Sequence, residues 1–236
     1  MKVRFRFSKE GETCYLGHLD MMRFFQKAIR RAHIDVAYSQ GFNPHQILSF
    51  ASPLGLGMTS QGEYFDAELK SCGSGRELLE AINGAMTEGI RVLGVRRIPD
   101  EGKYNAMAAL TACSYMVSFD ESFAAEYDLC GMWQRFISRD SIPVIKKTKT
   151  QTVETDLRPL ILDSGFSSGK LRLLLAAGSV ESVKAVAVLS AFFESSGIPL
   201  SGEQAFKTGT VRIERLDQFT GDKDKLTSLG EVGEEI

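Results

Sequence analysis

The chain has 236 residues, with 28 Lys and Arg against 30 Asp and Glu, a net charge of −2 and 43% hydrophobic residues. These proportions fit a soluble globular protein and exclude a disordered chain, a fibrous repeat and a wholly basic nucleic-acid binder, though not a local basic patch. The length suits two domains of roughly 100–150 residues each. No apolar run approaches the roughly 18–20 residues that span a bilayer.

Val3, Phe5 and Phe7 alternate with Lys2, Arg4 and Arg6, the period of a strand with one buried face, and the stretch does not read as a signal peptide. A helix is expected from about His18 to Ala32, with Leu19, Met22, Phe25, Ile29 and Ala32 as its apolar stripe. Ile34, Val36 and Tyr38 suggest a second strand, and the alternation around Phe65, Ala67 and Leu69 a third. Ser74-Gly75-Arg76-Glu77 has the form of a capping box and opens a second helix over Leu78, Leu79, Ile82 and Met86. Ile90 to Ile98 closes a β-α-β-β-α-β order, the ferredoxin-like unit. The second half repeats that order less clearly. It has a strand over Cys113 to Phe119, a helix after Asp120 carrying Phe123, Tyr127, Cys130, Trp133 and Ile137, and a short strand over Ile142 to Ile145. A stronger strand at Lys170 to Ala176, a helix over Val183 to Phe193 and a strand from Val211 complete it. The expected class is therefore α+β, with two tandem ferredoxin-like (βαββαβ) domains. The first covers residues 1–100 with a long loop at 39–62, and 101–110 is a linker. The second covers 111–219 with a loop at 146–169, and 220–236 is a loose acidic tail.

Four cysteines, Cys14, Cys72, Cys113 and Cys130, lie far apart with no Cys-x-x-Cys, which fits reduced thiols of a cytoplasmic protein and encodes no local zinc or iron–sulfur loop. Cys113 and Cys130 fall on apolar stripes and are expected to be buried. His18, His33 and His45 lack metal-ligand spacing, so no metal and no cofactor are expected. The charged face of the first helix carries Asp20, Arg23, Lys27, Arg30 and Arg31 at spacings of three and four. It reads equally as a phosphate-binding ridge or as a solvated face matched to the helix dipole. Lys2, Arg4 and Arg6 are expected on an exposed sheet face, with Arg4 and Arg6 paired across strands with Asp66 and Glu68. Ser39-Gln40-Gly41-Phe42-Asn43-Pro44-His45 is a turn able to present Phe42, Asn43 and His45, and Lys146, Lys147 and Lys149 precede Asp156-Leu157-Arg158-Pro159 in the other loop.

Several of these stretches together resemble the radical-SAM-linked domain of unknown function. They are Gly17-His18-Leu19-Asp20-Met21-Met22-Arg23, Arg30-Arg31-Ala32, Ser39 to His45, Ser49-Phe50-Ala51-Ser52-Pro53-Leu54, Gly62-Glu63-Tyr64-Phe65-Asp66 and Thr155 to Pro159. The resemblance covers nearly the whole chain before the acidic tail. It departs from the family pattern at Gly17, where the family has Ser. It implies a stand-alone form of a domain otherwise attached to a radical-SAM protein, with a role near RNA or ribosome metabolism. The chain has no Cys-x-x-x-Cys-x-x-Cys with which to hold a radical-SAM cluster itself.

The leading expectation is a non-catalytic accessory protein that binds RNA and acts with a radical-SAM enzyme in trans. Arg23, Lys27, Arg30, Arg31, Lys146, Lys147 and Arg158 would be the cationic contacts, with Phe42 and Asn43 at the bases. Two alternatives stand beside it. One is a metal-independent RNA-processing enzyme using His18 or His45 as general acid or base. The other is a protein-interaction module whose basic helix meets an acidic partner.

Overall fold

The computed structural model describes residues 1–147, 152–179 and 181–236, without the side chains of residues 146, 147, 152 and 153. The chain is α+β and divides into two compact units, one of Met1–Thr111 with Arg215–Ile236 and one of Ala112–Glu214. In chain order the first segment contributes β1 (Lys2–Lys9), α1 (His18–Arg31), β2 (Leu48–Phe50), β3 (Thr59–Glu68), α2 (Gly75–Asn83), β4 (Ile90–Ile98) and α3 (Ala106–Ala109). The second unit contains β5 (Ala112–Phe119), α4 (Glu121–Glu126), α5 (Leu129–Ile137), β6 (Pro143–Lys147), β7 (Thr152–Asp156), β8 (Ile161–Ser167), β9 (Lys170–Ala176), α6 (Ala185–Ser195) and α7 (Gly202–Lys207). β10 (Val211–Asp222) begins in the second unit and ends in the first, where β11 (Lys225–Ser228) pairs back on it.

In the first unit, β1 lies between β4 and β3, antiparallel to both, and β2 pairs antiparallel with β3. This order is consistent with a ferredoxin-like arrangement. Val3, Phe5 and Phe7 point into a core with Phe25 and Ile29 of α1, Phe65 of β3 and Ile82 of α2. The Phe5 and Phe65 rings stack at 4.7 Å and Phe25 lies 4.6 Å from Phe65, so aromatic burial fastens α1 to the strands. The Ser74 capping box forms as read: the Ser74 side chain accepts from the Glu77 N–H while the Glu77 carboxylate accepts from the Ser74 N–H. The second strand sits elsewhere than expected. Val36 and Tyr38 make only isolated bridges, and the strand proper is Leu48–Phe50, inside the segment read as a loop.

The other face of β1 is covered. Arg4 stands opposite Asp66 and is 2% exposed, with Asp66 at 4%, so this ion pair is buried rather than on an open face. Arg6 faces Tyr64, and Lys2 faces Glu68. The cover comes from segments expected to be linker and loose tail. Tyr104 and Leu229 each offer a backbone carbonyl to the Arg4 guanidinium, Ala106 is fully buried, and Leu229 is 0% exposed. The last residues run along β4 through backbone bonds in both directions between Arg97 and Glu234.

In the second unit β9 lies between β5 and β8, and the first residues of β10 lie beside β5. The expected single helix after Asp120 is two. Asp120 caps α4, the chain extends at Tyr127, and Asp128 accepts from the Gly131 N–H to start α5. The restarted register buries Leu129, Trp133 and Phe136 and leaves Cys130 exposed, contrary to expectation, while Cys113 is buried. The 146–169 segment is not one loop: β6 and β7 form a separate antiparallel hairpin, and β8 follows. Among the described residues no helix is long and apolar enough to cross a membrane.

Candidate nucleic-acid interface

α1 forms because Met21, Phe25, Ala28 and Ile29 recur at helical spacing and are buried, and its charges run from Asp20 in the first turn to Arg30 and Arg31 in the last. The helix therefore presents Arg23, Lys27 and Arg30 to solvent. Arg23 meets Asp20 only at 3.8 Å, with both side chains more than 60% exposed, a contact too solvated to hold the guanidinium. Lys27 and Arg30 make no hydrogen bond or ion pair among the described residues. Arg31 differs from its neighbours, because it donates to the Ala85 carbonyl at 2.7 Å and so joins α1 to the turn after α2.

The 38–47 loop is closed by its own side chains. The Ser39 N–H donates to the His45 carbonyl at 2.8 Å, and the His45 N–H donates to Ser39 Oγ at 3.1 Å. The same Oγ lies 2.8 Å from His45 Nδ1. Gly41 adopts φ 114°, a conformation disfavoured for residues with a side chain, and lets the tip turn. At that tip Phe42 is fully exposed, at 106%, and Asn43 is exposed beside it. One buried side chain sets the position of the loop: Gln46, 5% exposed, donates from Nε2 to the Gln26 carbonyl of α1 at 3.2 Å. The loop that carries the aromatic tip is thus tied to the helix that carries the basic face.

His18 opens α1 and sets its ring edge against Phe50 at 5.5 Å. His45 is the histidine with a hydroxyl neighbour, but that hydroxyl already accepts the His45 main-chain N–H, which makes it a loop closure first. In the second unit, the Asp156 carboxylate accepts from the Ile142 and Arg158 N–H groups at 2.7 and 2.9 Å, and these bonds hold its carboxyl below the usual range. Arg158 itself turns back to the Ile161 carbonyl at 3.4 Å, so it is half-buried in its own turn. Lys146 and Lys147 end β6, and their side chains, like Lys149, lie outside the described residues. Among the described residues no group of three or more His, Cys, Asp or Glu stands together to hold a metal.

A buried charged cluster in the first unit was not legible as such in the sequence. Lys9, 3% exposed, donates from Nζ to the Cys14 and Leu16 carbonyls at 3.0 and 2.8 Å and so fixes the turn that leads into α1. Burial pulls its ammonium below the ordinary lysine value, and the same burial pushes the Cys14 thiol up. Beside it Arg215 donates from Nε to Glu63 at 2.7 Å, closes a second bond from its NH2 group to the same carboxylate, and reaches the Ser52 carbonyl at 2.9 Å. Glu63, Phe50 and Ser52 all come from stretches that carry the family resemblance. Their role here is to pin the α1 entry and the Ser52 loop to the sheet.

No protein of established description matches the chain. Residues 2–185 match the family described as "Uncharacterized protein conserved in bacteria (DUF2344)". That span takes in α1, the Phe42 loop and the buried Lys9–Glu63 region, and it exceeds half of the chain. The chain belongs to this DUF2344 family.

Proposed function

We propose that the chain is a cytoplasmic RNA-binding accessory protein whose interface is the outward face of α1 together with the 38–47 loop. The observation that carries this reading is the Gln46–Gln26 bond, which ties the loop bearing a fully exposed phenylalanine to the helix bearing Arg23, Lys27 and Arg30. Guanidinium and ammonium groups free of strong partners suit phosphate oxygens, and an exposed ring suits an unstacked base, so the pairing fits single-stranded RNA. The radical-SAM enzyme implied by the family resemblance is the proposed recipient of that RNA. We further read the two units as variants of one βαββαβ plan, the second carrying the β6–β7 hairpin as an insertion. The strand orders β4-β1-β3-β2 and β10-β5-β9-β8 support this.

Fluorescence anisotropy with short labelled RNAs tests the interface on the whole chain. Wild type should bind with an affinity that falls steeply as salt rises, and the Arg23→Glu/Arg30→Glu variant should lose that binding. Absence of binding at low salt refutes the proposal. The 2.8 Å contact of Ser39 Oγ with His45 Nδ1 favours one second reading, an RNA-processing enzyme with His45 as the base. Cleavage of the bound RNA that disappears in His45→Ala would establish it.

A further inference from the structure

The outer edge of the first unit's sheet holds a cavity of about 430 Å3, far from apolar throughout and distinct in lining from the α1 surface. It opens where β4, the edge strand, is flanked by the segment from Leu229 onward. Volumes of about 300–1,000 Å3 are those of small-molecule sites. Four arginines line it: Arg4, Arg76 and the pair formed by Arg6 of β1 and Arg96 of β4. Because Arg4 pairs with Arg96 and Arg6 with Gly94, the two guanidinium-bearing positions are diagonal neighbours, about 7–8 Å apart at their bases.

Both arginines have donors to spare. Arg96 gives one NH2 bond to the Gly233 carbonyl at 3.1 Å, but its Nε is buried with no partner among the described residues. That Nε has no surface open to a ligand, but the remaining terminal nitrogen of Arg96 also makes no bond among the described residues and is not buried. Arg6 uses Nε on the Gln61 carbonyl at 3.1 Å, and its terminal nitrogens have no partner among the described residues. Of the other two, Arg4 is fully engaged by Asp66 and two carbonyls, and the exposed Arg76 of α2 pairs with Glu80 at 2.9 Å. The aliphatic part of the lining is Leu79, Leu93 and Val95, with Leu93 39% exposed; Val95 stands opposite Phe5, so it and Leu79 lie around the β4 edge from the arginines. Gly94, opposite Arg6, keeps the space open: a Cβ built there meets nothing within 4 Å. The one acidic side chain at the rim is the exposed Glu235.

We infer that this cavity binds a small organic phosphate monoester. Its phosphate would be held by Arg6 and Arg96 and its apolar body laid against Leu79, Leu93 and Val95. Two guanidinium groups can satisfy a dianionic phosphate with paired charge-assisted bonds, which neither an uncharged ligand nor a cation would draw. The aliphatic wall adds preference for an ester over inorganic phosphate.

Isothermal titration calorimetry of the whole chain with phenyl phosphate, inorganic phosphate and phenol tests the inference. Phenyl phosphate should bind at least about tenfold more tightly than either of its parts. Arg96→Met and Gly94→Val should each weaken it at least about tenfold, the first by removing one of the two guanidinium groups and the second by filling the space. Gly94 does not adopt a positive φ, so valine is compatible with its strand backbone, and this variant decides the matter if Arg96→Met fails to fold. Glu235→Gln should tighten binding a few-fold, while Arg23→Glu/Arg30→Glu should leave it unchanged. Equal affinity for phenyl phosphate and phenol, or full affinity retained by Gly94→Val, overturns the assignment.

Discussion

Arg4 is the residue whose setting departs furthest from its sequence pattern, and replacing it with methionine puts a number on the difference. In wild type its Nε and one NH2 group hold the two oxygens of Asp66 at 2.8 and 3.1 Å, and the carbonyls of Leu229 and Tyr104 take further donors. Arg4→Met keeps the length and apolar stem. It leaves behind a carboxylate 4% exposed with one remaining N–H, that of Ala106 at 2.7 Å, and two carbonyls short of donors. Removing one partner of a buried pair costs about 3–5 kcal/mol, against about 0.2–1 kcal/mol for an exposed one. With a urea slope of about 1–3 kcal/mol per molar, the unfolding midpoint should fall by at least about 1 M. In Arg4→Met/Asp66→Leu the stranded charge is gone, so the double variant should recover part of the loss, with a coupling of about 1–3 kcal/mol. A cost below about 1 kcal/mol for Arg4→Met, or strict additivity in the double variant, refutes the buried pair.

Phe42→Ala should weaken RNA binding by about 1–3 kcal/mol in anisotropy, the worth of one base stacked on a ring, and leave the melting temperature unchanged because the ring touches solvent only. Lys9→Met strands the Cys14 and Leu16 carbonyls, so it should destabilise by about 1–3 kcal/mol in urea and raise hydrogen exchange at the start of α1. Gly202→Ala drives a Cβ to 2.5 Å from the Val186 carbonyl and 2.7 Å from the Ser190 N–H, separating α7 from α6 at a cost of at least about 1–3 kcal/mol by chemical denaturation. Burial and the neighbouring Asp217 hold the Tyr64 hydroxyl well above its ordinary value. Above pH of about 10 the unfolded chain releases this proton and the folded chain keeps it, so stability falls as pH rises through that region. Tyr64→Phe should flatten that alkaline decline in denaturation curves taken from pH 9 upward, and an unchanged slope would contradict the assignment.

What the sequence made legible was local. The Ser74–Glu77 box is decided within four residues, and Phe25 and Ile29 mark the buried stripe of α1, so the start of α2 and the outward placement of Arg23, Lys27 and Arg30 are legible, although Leu19, expected on that stripe, is exposed and Met21 is buried instead. The alternation of Val3, Phe5 and Phe7 with arginines correctly implied a strand with two unlike faces. It could not say what lies on the charged face, because Lys-Arg alternation looks the same whether water or Leu229 covers it, and the cover arrives more than 200 residues later. The clue present was Asp66 in the middle of β3, at the register position that meets Arg4. Arg31 was grouped with the free cations by spacing alone, and only the turn at Ala85 shows that it is committed. The break between α4 and α5 turns on Asp128, a cap whose effect outweighs the continuous apolar spacing from Phe123 to Ile137.

The first unit thus separates two uses of charge by burial. Lys9, Glu63, Arg215, Arg4 and Asp66 are withdrawn from solvent and hold backbone: carbonyls before α1, at Ser52, at Tyr104 and at Leu229. Lys9 fixes the turn that enters α1, so the start of that helix cannot shift without stranding a buried donor, while Arg4 and Asp66 fix the cover on the opposite face of the sheet. Arg23, Lys27 and Arg30 spend no strong bond on the fold and are carried on that fixed helix. Phe42 is carried on a loop closed by Ser39 and His45 and anchored through Gln46. A surface held in this way loses little backbone freedom when a flexible strand settles on it, and the ordering cost falls on the ligand. That division is what the proposed binding surface needs, with Lys9 and Glu63 outside the interface holding the chain on which it rests.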